Sequence, residues 1–119
     1  MHNFKNLTVW QKSIQLAIKL YKFLNTLPTK DQYIFSSQLS RCANSIPSNI
    51  AEGSGKESVK DFCRYLNIAR GSSFELETQL IIMKETLQNQ KEDIEMFLKE
   101  VNEIQKIIHG SKKSLVKNS

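Results

Sequence analysis

The stretch from Val59 to Leu87, VKDFCRYLNIARGSSFELETQLIIMKETL, decides the fold class of this chain. Its apolar residues recur alternately three and four positions apart, which is the spacing of a helix that turns one side toward other helices. The set comprises Val59, Phe62, Leu66, Ala69, Ser73, Leu76, Leu80, Met83 and Leu87, with Ser73 as its polar member. At about 1.5 Å per residue, the pattern predicts a long helix of about 45 Å.

Three further segments outside this stretch show the same spacing. They are Leu7, Trp10, Ile14, Ala17, Tyr21 and Leu24; then Phe35, Leu39, Cys42, Ile46 and Ile50; then Ile94, Phe97, Val101, Ile104 and Ile108. Each segment has a side-chain acceptor at its start that is typical of a helix N-cap: Thr8, Thr29, Ser58 and Asn89 for the four helices in order. Because the breaks between segments are short, we predict an all-α fold, an antiparallel up-down four-helix bundle.

The helices differ in predicted shape and length. Pro47 lies inside the second helix, where it removes a backbone hydrogen bond, so we expect a kink there. The third helix is predicted to be longer than the first and fourth. The 119 residues suffice for one domain, which we place at residues 1–110, followed by a basic disordered tail at residues 111–119.

The composition excludes several classes of protein. Four Gly and two Pro are too few for a fold of many short strands. No apolar run reaches the roughly 18 residues of a membrane span, so we expect a cytoplasmic protein without a membrane partner. Cys42 and Cys63 lie within apolar periodic segments, which favours free structural cysteines in a reducing compartment.

The sequence contains little that indicates a cofactor. Gly53-Ser54-Gly55-Lys56 lacks the preceding Gly and the following Ser or Thr of a phosphate-binding loop. His2 and His109 lie near opposite ends of the chain, and the cysteines form no CxxC pair. We therefore predict no metal and no other cofactor.

Positive charge is concentrated at the two ends of the chain, whose net charge is +5. Residues 1–30 contain five lysines and no acid. Three of these lysines recur every seven residues opposite the apolar side of the first helix, and a fourth follows one turn later. Together with two lysines of the tail, they are the candidate nucleic-acid-binding residues: Lys5, Lys12, Lys19, Lys22, Lys112 and Lys113. The alternative is that these lysines only keep the protein soluble.

A second group of polar residues lies beside the apolar sides of the second and third helices. It includes Arg41, Asn49, Glu52, Arg70, Glu75 and Glu77. Because buried charges must be paired, we interpret this group as a structural polar network or a subunit interface. A carboxylate active site built on Glu52, Glu75 and Glu77 is a remote alternative.

Extra apolar residues flank the predicted core on two helices. They are Leu16, Leu20, Phe23 and Leu27 on the first helix, and Phe74, Ile81 and Ile82 on the third. They either widen the core or form an interface between copies of the chain, because monomers seldom expose large apolar patches.

Four motifs point to a known family. They are LTVWQ at residues 7–11, QLSRCA at 38–43, SIPSNIAEG at 45–53 and ARGSSFELETQL at 69–80. With these motifs, residues 4–110 resemble the 23S rRNA intervening-sequence protein family, and they are similar to the accessory variability proteins of diversity-generating retroelements. The resemblance implies a homopentamer of four-helix bundles and, for the accessory proteins, association with nucleic acid and a reverse transcriptase. It carries over no catalytic residue, and it implies a structural role for Arg41, Asn49, Glu52, Gly71, Glu75 and Glu77.

These observations lead to two hypotheses about function. The first is a non-enzymatic, pentameric protein that contacts the backbone of RNA or DNA through its lysines. The second is a protein-interaction scaffold that docks a polymerase or a ribosomal partner without touching nucleic acid.

Overall fold

Four α-helices make up most of the chain in a computed structural model, which describes residues 3–119. A short 3-10 turn at Phe4–Asn6 precedes the helices α1, Thr8–Leu24; α2, Thr29–Ser54; α3, Val59–Thr86; and α4, Lys91–Lys117. The described residues contain no strand, so the all-α prediction is confirmed. Residues 1 and 2 of the predicted domain lie outside the described part. No helix between residues 3 and 119 has both the length and the apolarity that a membrane crossing requires.

Only one of the four predicted N-caps forms. Ser58 Oγ accepts a hydrogen bond from the backbone N–H of Asp61 at 3.0 Å and caps α3. At the starts of α1, α2 and α4 no side chain caps the helix, so Thr8, Thr29 and Asn89 were wrong as caps. Gln11 and Gln32 instead donate to the backbone oxygens of Lys5 and Leu27, at 2.8 and 2.7 Å, and thereby fix the loops that precede α1 and α2.

The core uses the predicted sides of α2, α3 and α4 but only part of the predicted side of α1. All five predicted apolar residues of α4 are buried, as are most of those on α2 and α3. On α1, the buried residues are Val9, Ser13, Leu16, Leu20 and Leu24, and Leu27 follows in the loop. Of the residues predicted to face the core, Leu24 is buried and Leu7, Trp10 and Ala17 pack against the core, but Tyr21 is 62% exposed, so the predicted side of α1 is only partly correct. Two apolar stripes with helical spacing lie side by side on α1, and the stripe with the larger aliphatic side chains packs inward.

Helices α2, α3 and α4 have nearly equal lengths of 26, 28 and 27 residues, and α1 has 17. Helix α3 is therefore the longest, but α4 is much longer than predicted. It continues through Gly110 to Lys117, so residues 111–117 are helical where the sequence suggested an irregular tail. Leu115 packs against the core, which explains why the last two turns continue as helix.

Helices that follow one another in the chain pack together, and α1 also packs on α4. At the contact between α2 and α3, Cys42 meets Glu75, Ser45 meets Ser72, and Gly53 faces Tyr65. A Cβ atom on Gly53 would lie only 2.7 Å from the Cβ of Tyr65. The glycine is buried inside α2, and its role is to let two helices approach closely.

Candidate functional site

Two lysines of the predicted basic stripe on α1 are paired with acids of α4. Lys12 Nζ lies 2.5 Å from Glu103 Oε1, and Lys19 forms an ion pair with Glu100. The hydrogen bond from Lys12, together with its charge, lowers the pKa of the Glu103 carboxyl below its usual value. The stripe is free of acids in the sequence but not in the fold, because α4 brings carboxylates alongside it.

The other candidate lysines lie mostly at one end of the protein. Lys5, Lys22 and Lys113 are exposed, and within residues 3–119 no carboxylate forms an ion pair with them. Lys112 donates to the Oδ1 atom of Asn67 on α3. Leu7 and Leu115 line a common cleft, so the start of α1 and the end of α4 are neighbours. Lys5, Lys112 and Lys113 thus come to the same end of the protein, whereas Lys22 lies toward the other.

Part of the predicted polar network forms between α2 and α3. Arg41 Nη2 donates to Gln38 Oε1 at 2.9 Å and lies 3.4 Å from Glu75 Oε2. Cys42 Sγ donates to the same Glu75 oxygen at 3.6 Å. Burial, followed by the negative charge of Glu75, raises the pKa of the Cys42 thiol. The thiol is therefore a member of the network rather than a nucleophile, because a raised pKa keeps it protonated.

The remaining members of the predicted group do not join this cluster. Asn49 Nδ2 donates to the backbone oxygen of Ser45 at 2.8 Å, and the Ser45 and Ser72 hydroxyls are 2.7 Å apart. Glu77 accepts from Gln105 of α4 at 2.9 Å on a separate contact. Glu52 is exposed and lies apart from both carboxylates. The three glutamates are therefore distributed over different contacts, and they do not form the pair that the active-site alternative requires.

A cleft between α3 and α4 was not predicted from the sequence. Its volume is about 370 Å³, and it is lined by Arg70, Phe74, Asn102, Gln105, Lys106 and His109. The guanidinium carbon of Arg70 lies 5.4 Å from the centroid of the Phe74 ring. Arg70 Nε is buried without a hydrogen-bond partner, and it is the one such side-chain nitrogen or oxygen in the described part of the chain. The outer face of α4 looks like ordinary solvated surface in sequence, and only the position of α3 reveals the cleft.

The apolar flanks predicted from the sequence divide into two classes. Leu16, Leu20 and Leu27 are buried and widen the core, whereas the α3 flank is about half exposed: Phe74, Ile81 and Ile82. The second apolar stripe of α1 lines an open groove of about 560 Å³ against α2. We call this the α1–α2 groove; its walls and floor include Ile14, Ala17, Ile18, Tyr21, Ala43 and Pro47.

No group of three or more His, Cys, Asp or Glu side chains that could hold a metal ion occurs among residues 3–119. Cys42 and Cys63 are both free thiols.

Comparisons with known proteins agree with the fold. The model of the 23S rRNA-intervening sequence protein family matches residues 5–110. A crystal structure of a protein of unknown function from the S23 ribosomal protein family of Bacteroides thetaiotaomicron superposes with a TM-score of 0.76 at 30% sequence identity. The alignment covers 89% of this chain and 99% of that protein. No curated protein matches the chain. The family match and the shared helical fold together show that this chain belongs to the 23S rRNA-intervening sequence protein family.

Proposed function

We propose that the protein is a non-enzymatic homo-oligomer, a pentamer, that contacts the backbone of RNA or DNA through its basic surface. The observation that carries the proposal is that Lys5, Lys112 and Lys113 lie near the start of α1 and the end of α4, which line one cleft, and that within residues 3–119 no ion pair joins a carboxylate to any of them. Clustered lysines attract phosphates without reading bases. A symmetric oligomer presents several such clusters to one strand, so contacts that are weak in one subunit add up by avidity.

The ion pairs on α1 modify this surface without removing it. Exposed ion pairs contribute little free energy, so a phosphate can replace Glu100 or Glu103 beside its lysine at little cost. Lys12 and Lys19 therefore extend the proposed surface toward Lys22, although the acids weaken their attraction for a strand. Removing the acids should strengthen binding if the strand lies along α1.

The exposed apolar surface supports the oligomer. The α1–α2 groove leaves Ile18 and Tyr21 exposed at 44% and 62%. Small residues on α2, including Ala43 and Ser48, form the floor of the groove and would let a helix approach closely. In a ring of five subunits the contacts are head-to-tail, so we propose that a different surface of a neighbouring copy covers the groove and that every groove in the ring is buried in this way.

The up-down antiparallel arrangement and a bend at Pro47 are part of this proposal. Between α2 and α3, Cys42 contacts Glu75, Ser45 contacts Ser72, and Gly53 faces Tyr65. The residue numbers along the contact therefore rise on α2 as they fall on α3. This order supports antiparallel packing. Pro47 lies within an unbroken helix and lines the α1–α2 groove, where a local bend would shape the interface.

Two matched sets of variants test the basic surface in a gel-shift titration with single-stranded RNA. Reversing the charge of Lys5, Lys112 and Lys113 to Glu should abolish binding, and reversing that of Lys12, Lys19 and Lys22 to Glu should weaken it, while circular dichroism still shows the helical fold. The double variant Glu100→Gln with Glu103→Gln should bind more tightly than the wild type. Glu85→Gln with Glu95→Gln makes the same change in net charge elsewhere and should have a smaller effect. Equal effects of the two double variants would show that α1 does not hold the strand.

Salt dependence measures how many phosphates are engaged. If each subunit makes about four phosphate contacts with a single strand, log affinity should fall with log salt at a slope of about −3 per engaged subunit. A slope near zero contradicts the proposal.

Light scattering at micromolar protein concentration tests the oligomer. The expected mass is five times the 13.7 kDa of one chain. Tyr21→Glu, in the α1–α2 groove, should reduce the mass to that of a monomer. The control Met96→Glu changes an exposed side chain of α4 and should leave the mass unchanged. A wild-type mass of one chain contradicts the oligomer.

The scaffold hypothesis is favoured by one specific observation, the neutralisation of Lys12 and Lys19 by α4. A scaffold of this kind would retain its protein partner after nuclease treatment in a pull-down. Loss of the partner on nuclease treatment favours the nucleic-acid proposal instead.

A further inference from the structure

The α3–α4 cleft differs in charge from the other grooves beside α4. Its described lining includes the cations Arg70 and Lys106 and the imidazole of His109, but no acid. The groove between α1 and α4 contains two lysines and two glutamates, which offset one another. Two acids interact with residues of the lining: Glu77 accepts from Gln105, and Glu103, which pairs with Lys12, also interacts electrostatically with Lys106. Within the described residues, no carboxylate lines the cleft itself, so an anion bound there would contact cationic and amide groups rather than acids.

The cleft also carries an aromatic ring that is open to a ligand. Phe74 is 46% exposed, and the Arg70 guanidinium lies over its ring at a distance typical of cation–π contact. Aromatic rings of this kind stack unpaired bases in proteins that bind single strands. Asn102 and Gln105 add amide groups, which can donate to or accept from the edge of a base.

Arg70 provides a third, independent observation. A buried Nε–H without a hydrogen-bond partner is unfavourable, and native proteins contain few such groups. A phosphate bound beside Arg70 would supply the acceptor that this donor lacks.

We infer that the α3–α4 cleft binds one unpaired nucleotide of a single strand, with its base on Phe74 and its phosphate between Arg70 and Lys106. The strand then continues toward Lys112 and Lys113, which follow His109 by about one turn on α4. A duplex cannot be held in this way, because its bases are stacked inside the helix. The inference rests on the proposed function and deepens it by naming the kind of strand and the position of one of its bases.

Two strands with the same phosphates but different bases test the inference. Fluorescence anisotropy should show that the full-length protein binds an oligothymidylate of about ten nucleotides, within the usual range for single-strand sites, about tenfold more tightly than an abasic strand of equal length. Phe74→Ala should abolish this preference, and Phe74→Tyr should keep it. Ile82→Ala removes a similarly exposed apolar side chain from the same helix and should also keep the preference. Lys106→Gln should weaken the binding of both strands severalfold. This loss of affinity should exceed that caused by the matched control Lys99→Gln.

The outcomes separate the cleft from the wider proposal. If the wild type binds both strands equally, the cleft inference is overturned, while backbone binding stands. If neither strand binds, the proposed function fails, and thymidine monophosphate titrated into ¹⁵N-labelled protein then tests the cleft directly. Shifts of the side-chain amide signals of Asn102 and Gln105 support the cleft, and their absence overturns it. A polyglutamate peptide serves as an anion without bases. If it binds the wild type as tightly as oligothymidylate does, and binds Phe74→Ala equally well, the cleft inference is also overturned.

Discussion

The thiol of Cys42 on α2 donates a hydrogen bond to the carboxylate of Glu75 on α3, with 3.6 Å between Sγ and Oε2. Arg41 approaches the same carboxylate oxygen at 3.4 Å, and the Gln79 amide lies 3.9 Å from the thiol. Four side chains thereby connect the two helices at the border between core and solvent. Because Glu75 is 55% exposed on its side chain, the ion pair with Arg41 contributes little free energy, and the cluster serves mainly to set the register of the helices.

This relationship predicts the reactivity of the two cysteines. Cys42 should react with iodoacetamide more slowly than the half-buried Cys63, because burial and the charge of Glu75 raise the pKa of the Cys42 thiol. Mass spectrometry of the alkylated peptides measures both rates, which should become similar in guanidinium. Glu75→Gln should accelerate alkylation of Cys42. Equal native rates for the two cysteines would contradict the prediction.

The same pKa shift predicts a pH dependence of stability. The pKa of Cys42 is higher in the folded protein than in the unfolded chain. Its contribution to stability is therefore fully present below the thiol pKa of the unfolded chain and is lost as the pH rises through the folded pKa. Urea titrations across this alkaline window should show a steeper loss of stability for the wild type than for Cys42→Ala.

The ion pair of Lys12 and Glu103 predicts the opposite dependence on pH. The pKa of Glu103 is lowered by the hydrogen bond and charge of Lys12, so its contribution is present above the unfolded pKa and lost as the pH falls through the folded pKa. An NMR titration should show the pKa of Glu103 rising in Lys12→Gln. Lys22→Gln is the control, and a similar rise in that variant would mean that Lys12 is not the specific cause.

Two glycine substitutions should have opposite effects on stability. Gly53→Ala should lower the free energy of unfolding by about 1–3 kcal/mol, because the added Cβ would overlap Tyr65. Gly71→Ala should raise it by up to about 1 kcal/mol, since no atom lies within 4 Å of the new Cβ and alanine favours the helix. Urea denaturation of both variants measures the difference. A stabilised Gly53→Ala would contradict the close approach of α2 and α3.

The hydroxyls of Ser45 and Ser72 should be coupled across α2 and α3. They lie 2.7 Å apart, and Ser72 is buried. Each single alanine variant should cost about 1 kcal/mol, whereas the double variant should cost less than the sum, because neither hydroxyl is then left without its partner. Additive free energies in this double-mutant cycle would show that the contact carries no coupling.

The apolar spacing alone was sufficient to identify four helices and the buried sides of three of them. On α1 it was only partly correct, because two stripes of similar apolarity lie side by side and the spacing alone cannot show which of them is more deeply buried. It also ended α4 at Gly110, although Leu115 continues the packing. The N-cap rule succeeded at Ser58 and failed at the other three starts; before α1 and α2, the amides of Gln11 and Gln32 donate to loop carbonyls instead.

The candidate site was less predictable than the fold, for a physical reason. Whether a segment forms an amphipathic helix depends on the local spacing of its apolar residues, so the sequence from Val59 to Leu87 is sufficient to predict the helix. The charge of a surface depends on which helices become neighbours: Glu100 and Glu103 neutralise two lysines that are about 80–90 residues away in the chain. The packing of α3 on α4 likewise places Arg70 and Phe74 opposite Lys106 and His109. Composition and periodicity thus set the class of this protein, whereas packing determined where its charges meet, because electrostatic interactions act through space and not along the sequence.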